Sequence, residues 1–564
     1  MWQGIRNAKI ESFNQKIQAL NFPSFGFKKL SDIPELDATL IPLDGILGGF
    51  EQEITNSDVE ILLHKLALGQ WTATQVIEAF SKRAILAHEV TNCLSEIFFE
   101  RAKKRALELD EIMKTTKKPV GKLQPVLRLF INRLPKYSGL PISLKDQIEI
   151  EGVDATVGFI SWANKPSEKD ALIVELLEKQ GAIVYCKTNV PQGLMSCRTE
   201  NLITGSTINP YNLHLSPGGS SGGEGALIAM RGSVLGIGSD VGGSIRIPAG
   251  FCGTYALRPC YHRLPYWGTK NTLEGQEINP SVLGPLSSSL FGVKALFQAI
   301  LETKPWQHDP LVINKPWSES AYELVEHGKG KDMCFGILRD YGDCRALPPY
   351  QRALDMVTKA LEKAGHKVVE WSVPQGWSDE GKDIIDEIFQ ADGKKDIINI
   401  CAATGEYCFY HPENSLMPPH LLTHDYWQLT KRRNAYVKQQ MDWLMESVHL
   451  TGTGRSFDAV IMPVSGNCAE RETVPQEVWW TSMCNLMDLP ATVFPVTRVD
   501  PNLDSPSTLI HYQSSMEENI HEAFDPKIYS NSPIGLQCVG QRGEEECVIR
   551  ITELIEKALR DIDS

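Results

Sequence analysis

A chain of 564 residues, 42% hydrophobic and 22% charged, is long enough for a sizeable buried core and has the balance of a folded soluble protein, not a disordered one. Its formal charge of −14, from 56 Lys and Arg against 70 Asp and Glu, opposes binding to nucleic acid or to an anionic lipid surface. The 13 cysteines are odd in number, scattered and never in a C-x-x-C pair, which argues against a disulfide framework or a zinc site and for a reducing, cytoplasmic setting.

The opening residues Met1-Trp2-Gln3-Gly4-Ile5-Arg6 soon meet Lys9, Glu11 and Lys16, so the apolar core of a signal peptide is missing, and no stretch approaches the ~20 apolar residues of a membrane span. Ser57-Asp58-Val59-Glu60 has capping-box spacing ahead of an apolar-periodic run to about Leu66, and Thr72 or Thr74 caps a second helix through Ala84. Residues 94–114, with Leu94, Ile97, Phe98, Ala102, Leu107 and Ile112, read as a third. Residues 1–115 are therefore expected to form a mainly helical region packed on a catalytic domain of residues 116–564. No linker or repeat interrupts the chain, so one large domain overall is expected.

Further on the grammar changes. Ala171 to Gln180 reads as an amphipathic helix stopped by Gly181 and followed by the apolar run Ala182 to Cys186. The same unit recurs at Tyr350 to Ala364, Gly365, then Lys367 to Trp371, while Phe335 to Leu338 and Phe457 to Met462 read as buried strands. Alternating helices and strands imply an α/β fold with a mixed, mostly buried sheet.

The most unusual stretch runs from Ser216 through Gly218-Gly219-Ser220-Ser221-Gly222-Gly223 and on through Gly238-Ser239-Asp240-Val241-Gly242-Gly243-Ser244-Ile245-Arg246. Glycine at this density permits tight backbone that offers its N–H groups to a ligand, although ordinary turns use the same residues. A phosphate loop does not fit, because neither G-x-x-x-x-G-K-S/T nor G-x-G-x-x-G spacing is present. Gly218-x-Ser220-x-Gly222 satisfies the nucleophile-elbow pattern, with His411, His420, His424, His511 and His521 downstream, but Asn212 to Pro217 is a poor candidate for the buried strand that an elbow leaves.

GGSSGGEGA from Gly218 and GSDVGGSIRIPAGFCGTYALRP from Gly238 to Pro259 resemble the amidase signature, with the two serines 24 residues apart. Gly139 to Asp146 is similar to the family's lysine-bearing strand end. Similarity extends over most of the chain from about residue 50, through Thr188 to Gln192, Asn209-Pro210-Tyr211, Leu489-Pro490-Ala491 and Gly535-Leu536-Gln537. Arg263 to Tyr266, Pro280 to Pro285 and Pro305 to Pro310 are most like fungal acetamidase-type enzymes; fatty acid amide hydrolases are also similar, but the membrane-spanning N-terminus associated with them is not seen here.

The resemblance implies the amidase signature fold, with a large mixed sheet covered on both faces by helices. It implies Ser244 as nucleophile, Ser220 as proton relay, Lys145 as base, and a cis peptide between Gly219 and Ser220. Val241, Gly242, Gly243 and Ser244 would turn N–H groups toward the oxyanion, Leu194 and Ser196 would line the substrate cavity, and Ser221, Asp240 and Arg246 would support the loops. From residue types alone, Asp240 and Arg246 also read as a solvated ion pair, and Leu194 and Ser196 as a core residue and a turn residue. Lys145 can act as base only when neutral; with an ordinary pKa near 10.4, about one lysine in 2,500 is neutral at pH 7, so its pKa must fall. No cofactor or metal is required.

The substrate expected from the resemblance is a small neutral amide such as acetamide, or a carbamate such as ethyl carbamate, with fatty-acid or aryl amides as the alternative. A glutaminase subunit of an amidotransferase and a non-enzymatic binding protein are further readings. A homodimer is compatible with the sequence. Met417-Pro418-Pro419, Tyr426-Trp427 and Lys431-Arg432-Arg433 are consistent with a core helix, a pocket lip or a membrane-contacting cap.

Overall fold

The computed structural model describes residues 2–23, 26, 36–116, 138–374, 376–410, 419–507 and 509–563. His411, Met417 and Pro418 fall outside the described residues, as do residues 117–137, which follow the expected 115/116 boundary. Eleven strands in chain order take part in mixed-sheet pairing: β1 (Leu94–Ile97), β2 (Pro141–Lys145), β3 (Ile183–Thr188), β4 (Leu235–Asp240), β5 (Tyr255–Arg258), β6 (Val282–Ser287), β7 (Cys334–Leu338), β8 (Lys367–Trp371), β9 (Ala459–Pro463), β10 (Ala491–Arg498) and β11 (Pro533–Val539).

The described chain divides into two compact units, one made of residues 1–239, 262–271 and 283–317, the other of residues 240–261, 272–282 and 318–564. In the first, strands lie in the order β1-β3-β2-β4-β6; β2 runs parallel to both β3 and β4, and β1 runs antiparallel to β3. β2, β3 and β4 are buried along their whole length, which explains their nearly continuous apolar runs. The helices Ala73–Thr91, Leu172–Lys179 and Gly222–Ala229 pack on this part of the sheet. In the second unit the order is β5-β10-β11-β9-β7-β8, antiparallel from β5 to β9 and parallel from β9 to β8. Its strands are packed by Arg246–Phe251, Pro348–Lys363 and Glu545–Asp563. The mixed α/β architecture expected from the sequence is present, with helices against the strands of each unit.

Two local expectations are corrected. Residues 94–97 are a strand and not the start of a helix: Asn92 adopts a left-handed conformation that ends Ala73–Thr91, Leu94 to Ile97 then pair with β3, and the helix begins only at Phe99. The helix Val59–Ala67 forms without the expected capping box. Ser57 instead donates to the Glu53 carbonyl, and the Asp58 carboxylate accepts from Arg231 (2.8 Å) and Ser288 (3.0 Å). Thr72, by contrast, caps its helix reciprocally with Gln75. Among the described residues no helix is long and apolar enough to cross a membrane.

Candidate active site

β2 and β4 are parallel neighbours, with Ser143 opposite Gly236 and Leu144 opposite Ile237. Their C-terminal ends therefore bring Lys145 and Ser239 together, though they are 94 positions apart in sequence. Lys145 is completely buried; its Nζ donates to Ser239 Oγ at 2.8 Å and lies 2.7 Å from Ser220 Oγ. Ser239 Oγ in turn donates to Gln147 Oε1 at 2.5 Å, and Gln147 Nε2 is anchored by Tyr266 Oη (3.0 Å) and the Lys270 carbonyl (2.8 Å). With its own proton spent on Gln147, Ser239 acts toward Lys145 as an acceptor. That fixes one amine hydrogen and leaves another for the 2.7 Å hydrogen bond to Ser220 Oγ.

Ser220 stands on a turn, not on a strand end: no strand directly precedes it, and the helix Gly222–Ala229 begins two residues later. The nucleophile-elbow reading therefore lacks its strand. The Gly219–Ser220 peptide is cis. Gly219 passes so close to the Ser196 carbonyl that a Cβ there would sit 2.6 Å from the oxygen, which requires glycine. Ser196 is half-buried and its hydroxyl caps the Arg198 N–H (3.0 Å). Leu194 is buried at a positive φ of 64° in a tight turn, and Ser221 is fully buried with long contacts to the Ser239 backbone.

Behind this group lies Glu224, which sequence reasoning did not single out. It is fully buried and accepts from Ser143 Oγ (2.6 Å) and Thr188 Oγ1 (2.9 Å). Burial pushes its carboxyl up to about 7, outweighing those hydrogen bonds and the positive charge of Lys145.

In the second unit, residues 240–246 form a loop organised by two buried ions. Asp240 Oδ1 accepts from the Gly243 N–H (2.8 Å), Arg246 (3.0 Å) and Asn485 Nδ2 (2.8 Å), and Oδ2 accepts from the Ile245 N–H (3.1 Å) and Arg246 Nε (3.0 Å). Arg246 also donates to the Thr481 carbonyl (2.9 Å), Gln537 (3.0 Å) and Asn485 (2.6 Å). Both side chains are fully buried, so a solvated pair does not describe them. Burial alone would raise the Asp240 carboxyl, but Arg246, Arg258 and Asn485 hold it well below the usual carboxylate range.

Two carbonyls of the loop are pinned. That of Val241 accepts from Asn279 Nδ2 (3.0 Å), and that of Gly242 from Thr481 (2.7 Å) and Ser482 (3.1 Å). Because a peptide is planar, pinning each C=O aims the following N–H the opposite way. The Gly243 N–H is thereby directed at Asp240 and not at an oxyanion, while Gly243 itself has φ 133° and would place a Cβ 2.2 Å from Thr481 Oγ1. Ser244 follows, buried, immediately before the short helix Arg246–Phe251.

One other group has metal-ligand types among the described residues: His327, Glu544 and Cys547, with ligand atoms within 4.8 Å of one another. Hydrogen bonds to Asp458, Cys547 and Glu544 push the His327 imidazole up to about 11. It is thus held as a protonated cation between carboxylates and does not present a free ligand nitrogen.

Comparison with known proteins gives the family. The amidase family model matches residues 75–549. An acetamidase of Emericella nidulans is 36% identical over 521 residues, covering 92% of each chain, and an acetamidase of Aspergillus oryzae is 38% identical over 540 residues, 94% of this chain and 95% of that one. A solved structure of a fatty acid amide hydrolase has a TM-score of 0.87 at 29% identity, over 99% of this chain and 96% of the other. The chain belongs to the amidase family, whose members include the hydrolases of amides just described.

Proposed function

We propose that the chain hydrolyses the C–N bond of small neutral carboxylic amides, with acetamide as the type substrate and carbamates such as ethyl carbamate as a related class. Ser244 attacks the carbonyl, Ser220 passes the proton to Lys145 and returns one to the departing nitrogen, and water then releases the acid from the acyl-enzyme. The observation that carries this reading is the fully buried Lys145, whose Nζ lies 2.7 Å from Ser220 Oγ and 2.8 Å from Ser239 Oγ, because burial disfavours the charged ammonium form. Val241, Gly242 and Ser244 supply the oxyanion donors in this conformation, since the Gly243 N–H is engaged by Asp240. The two acetamidase relatives support the small-amide preference, and the similarity to a fatty acid amide hydrolase supports long-chain amides as the second reading. The 13 cysteines, none of them joined in a disulfide, support a cytoplasmic site of action.

Ammonia release from acetamide, butyramide, benzamide, ethyl carbamate and a long-chain fatty amide tests the proposal, with Ser244→Ala and Lys145→Ala beside the parent. Loss of release in both variants supports the mechanism, and the chain-length profile selects the substrate class. Release surviving Ser244→Ala overturns it, and a folded parent inactive on every amide favours a partner-dependent or non-enzymatic role.

A further inference from the structure

One buried carboxyl ties together the elements on both sides of the 2.7 Å bond between Lys145 and Ser220. Glu224 lies in the first turn of the helix Gly222–Ala229, which starts just after Ser220. It reaches Ser143, which shares a face of β2 with Lys145, and Thr188, the residue opposite Lys145 on β3. β4 makes room for it: a Cβ at Gly236 would collide with Glu224 Oε2, so glycine is required there.

The hydrogens around this carboxyl can be counted. Ser143 Oγ lies 2.6 Å from Glu224 Oε2 and 2.9 Å from Ser233 Oγ, and Ser233 Oγ lies 2.9 Å from the Leu235 carbonyl. Each of these oxygen–oxygen contacts needs a hydrogen to be a bond. Each serine supplies one and the carbonyl supplies none, so an ionised Glu224 leaves one of the contacts bare. A proton on Oε2 fills the chain: Glu224 donates to Ser143, Ser143 to Ser233 and Ser233 to the Leu235 carbonyl, while Oε1 still accepts from Thr188 at 2.9 Å. The direction of the 2.6 Å bond is then the reverse of that made to an ionised carboxylate.

The surrounding charges agree with that count. Cys93, Tyr185 and Cys186 also interact with Glu224, and burial pushes all three up, so they stay neutral. Arg83, on the helix Ala73–Thr91, binds the Met230 carbonyl (2.8 Å) beyond the other end of the Glu224 helix, and Lys187 of β3 binds the Asp154 carbonyl (2.6 Å). Lys145 is the cation that the Glu224 carboxyl senses. We propose that Glu224 is a positioning residue that works in its protonated form, joining the turn of Ser220 to the strand of Lys145 without placing a negative charge beside the lysine. An ionised carboxylate there would favour the ammonium form of Lys145, which cannot take a proton. The kinetic part rests on Lys145 as the base; the location of the proton on Glu224 does not.

The infrared difference spectrum between the full-length parent and Glu224→Gln tests the proton directly, at a pH about one unit below the value of about 7 to which burial pushes this carboxyl. It is expected to contain the C=O stretch of a protonated carboxylic acid; the paired bands of a carboxylate in its place overturn the proposal. Kinetics on acetamide test the role. Glu224→Leu, which fills the space without the bonds, should lower kcat about 100-fold with KM within about twofold, in protein whose thermal melt shows it folded. Glu224→Gln, whose amide donates to Ser143 and accepts from Thr188 as the protonated acid does, should rescue kcat to within about threefold of the parent and leave the acid limb of kcat/KM in place. An acid limb moved by more than about one unit to lower pH in Glu224→Gln means that a counter-charge was removed from Lys145, and overturns the proposal. A parent-like kcat in folded Glu224→Leu overturns the positioning role. If Glu224→Leu does not fold, the infrared band and the Glu224→Gln limb decide. A chain inactive on amides that still shows the protonated band keeps the neutral carboxyl and rejects the proposed function instead.

Discussion

The polar cluster around Lys145 and the one around Asp240 are equally buried but are built in opposite ways. Lys145 meets hydroxyls: Ser220, Ser239 and, through Ser239, the amide of Gln147. Asp240 meets a guanidinium, two backbone N–H groups and an asparagine, and its partner Arg246 is itself saturated by Thr481, Gln537 and Asn485. Hydroxyls both donate and accept, so the first cluster survives a change in proton position. The second has fixed donors and fixed acceptors and loses contacts if either ion is neutralised. A site that moves protons needs the first kind of environment, and a loop that must hold one shape needs the second.

The comparison is sharpened most by Ser244→Ala, expected to lower kcat by about a millionfold, as loss of a serine nucleophile does in other hydrolases, while leaving the denaturant midpoint near that of the parent. Lys145→Met should cost about 100-fold to 10,000-fold in kcat, the range for a general base, read at saturating amide beside the parent. Asp240→Asn should behave in the reverse sense: Arg246 is left buried without a counter-charge, and the loss in a urea titration should be about 3–5 kcal/mol. A loss under 1 kcal/mol for Asp240→Asn would break the distinction between the two clusters.

Acid should separate the clusters too. The depressed Asp240 carboxyl contributes stability that is complete above the unfolded value near 3.9 and is lost as pH falls below it. Glu224 has the opposite sign: its carboxyl, raised to about 7, contributes stability that is complete below about 4.5 and is lost as pH rises through 7, a span of about 3 kcal/mol. Glu224→Gln should flatten stability between pH 4.5 and 7 in thermal melts, since the Ser143 and Thr188 hydroxyls can turn to suit an amide. A parent curve already flat over that interval would remove Glu224 from the account.

Ser220, Ser244 and Lys145 could be proposed from the sequence because each sits in a local pattern of glycines or at the end of an apolar run. It carried β8 without error at Lys367–Trp371, where Gly365 closes the preceding helix. It did not carry the distant residues that hydrogen-bond to the groups beside them. Gln147 reaches Ser239 across 92 positions, and Gln537 reaches Arg246 across 291, with nothing local to mark either pairing. β1 was misread because Leu94 and Ile97 suit a helix as well as a strand, and pairing with β3 decides between them. The missing cap at Asp58 has the same origin, since Arg231 and Ser288 claim a side chain that local spacing assigned to the helix.

The pinned carbonyl of Gly242 constrains how this protein can be recombined with its relatives. Thr481 and Ser482 hold that carbonyl, Asn485 holds Asp240, and Gln537 holds Arg246, so three distant segments share one hydrogen-bond pattern. A chimera that imports residues 240–246 from a relative inherits only half of each bond. Segments 240–246, 481–485 and 537 are in effect a single heritable block, and crossover points that keep them together should yield folded hybrids where those that split them do not.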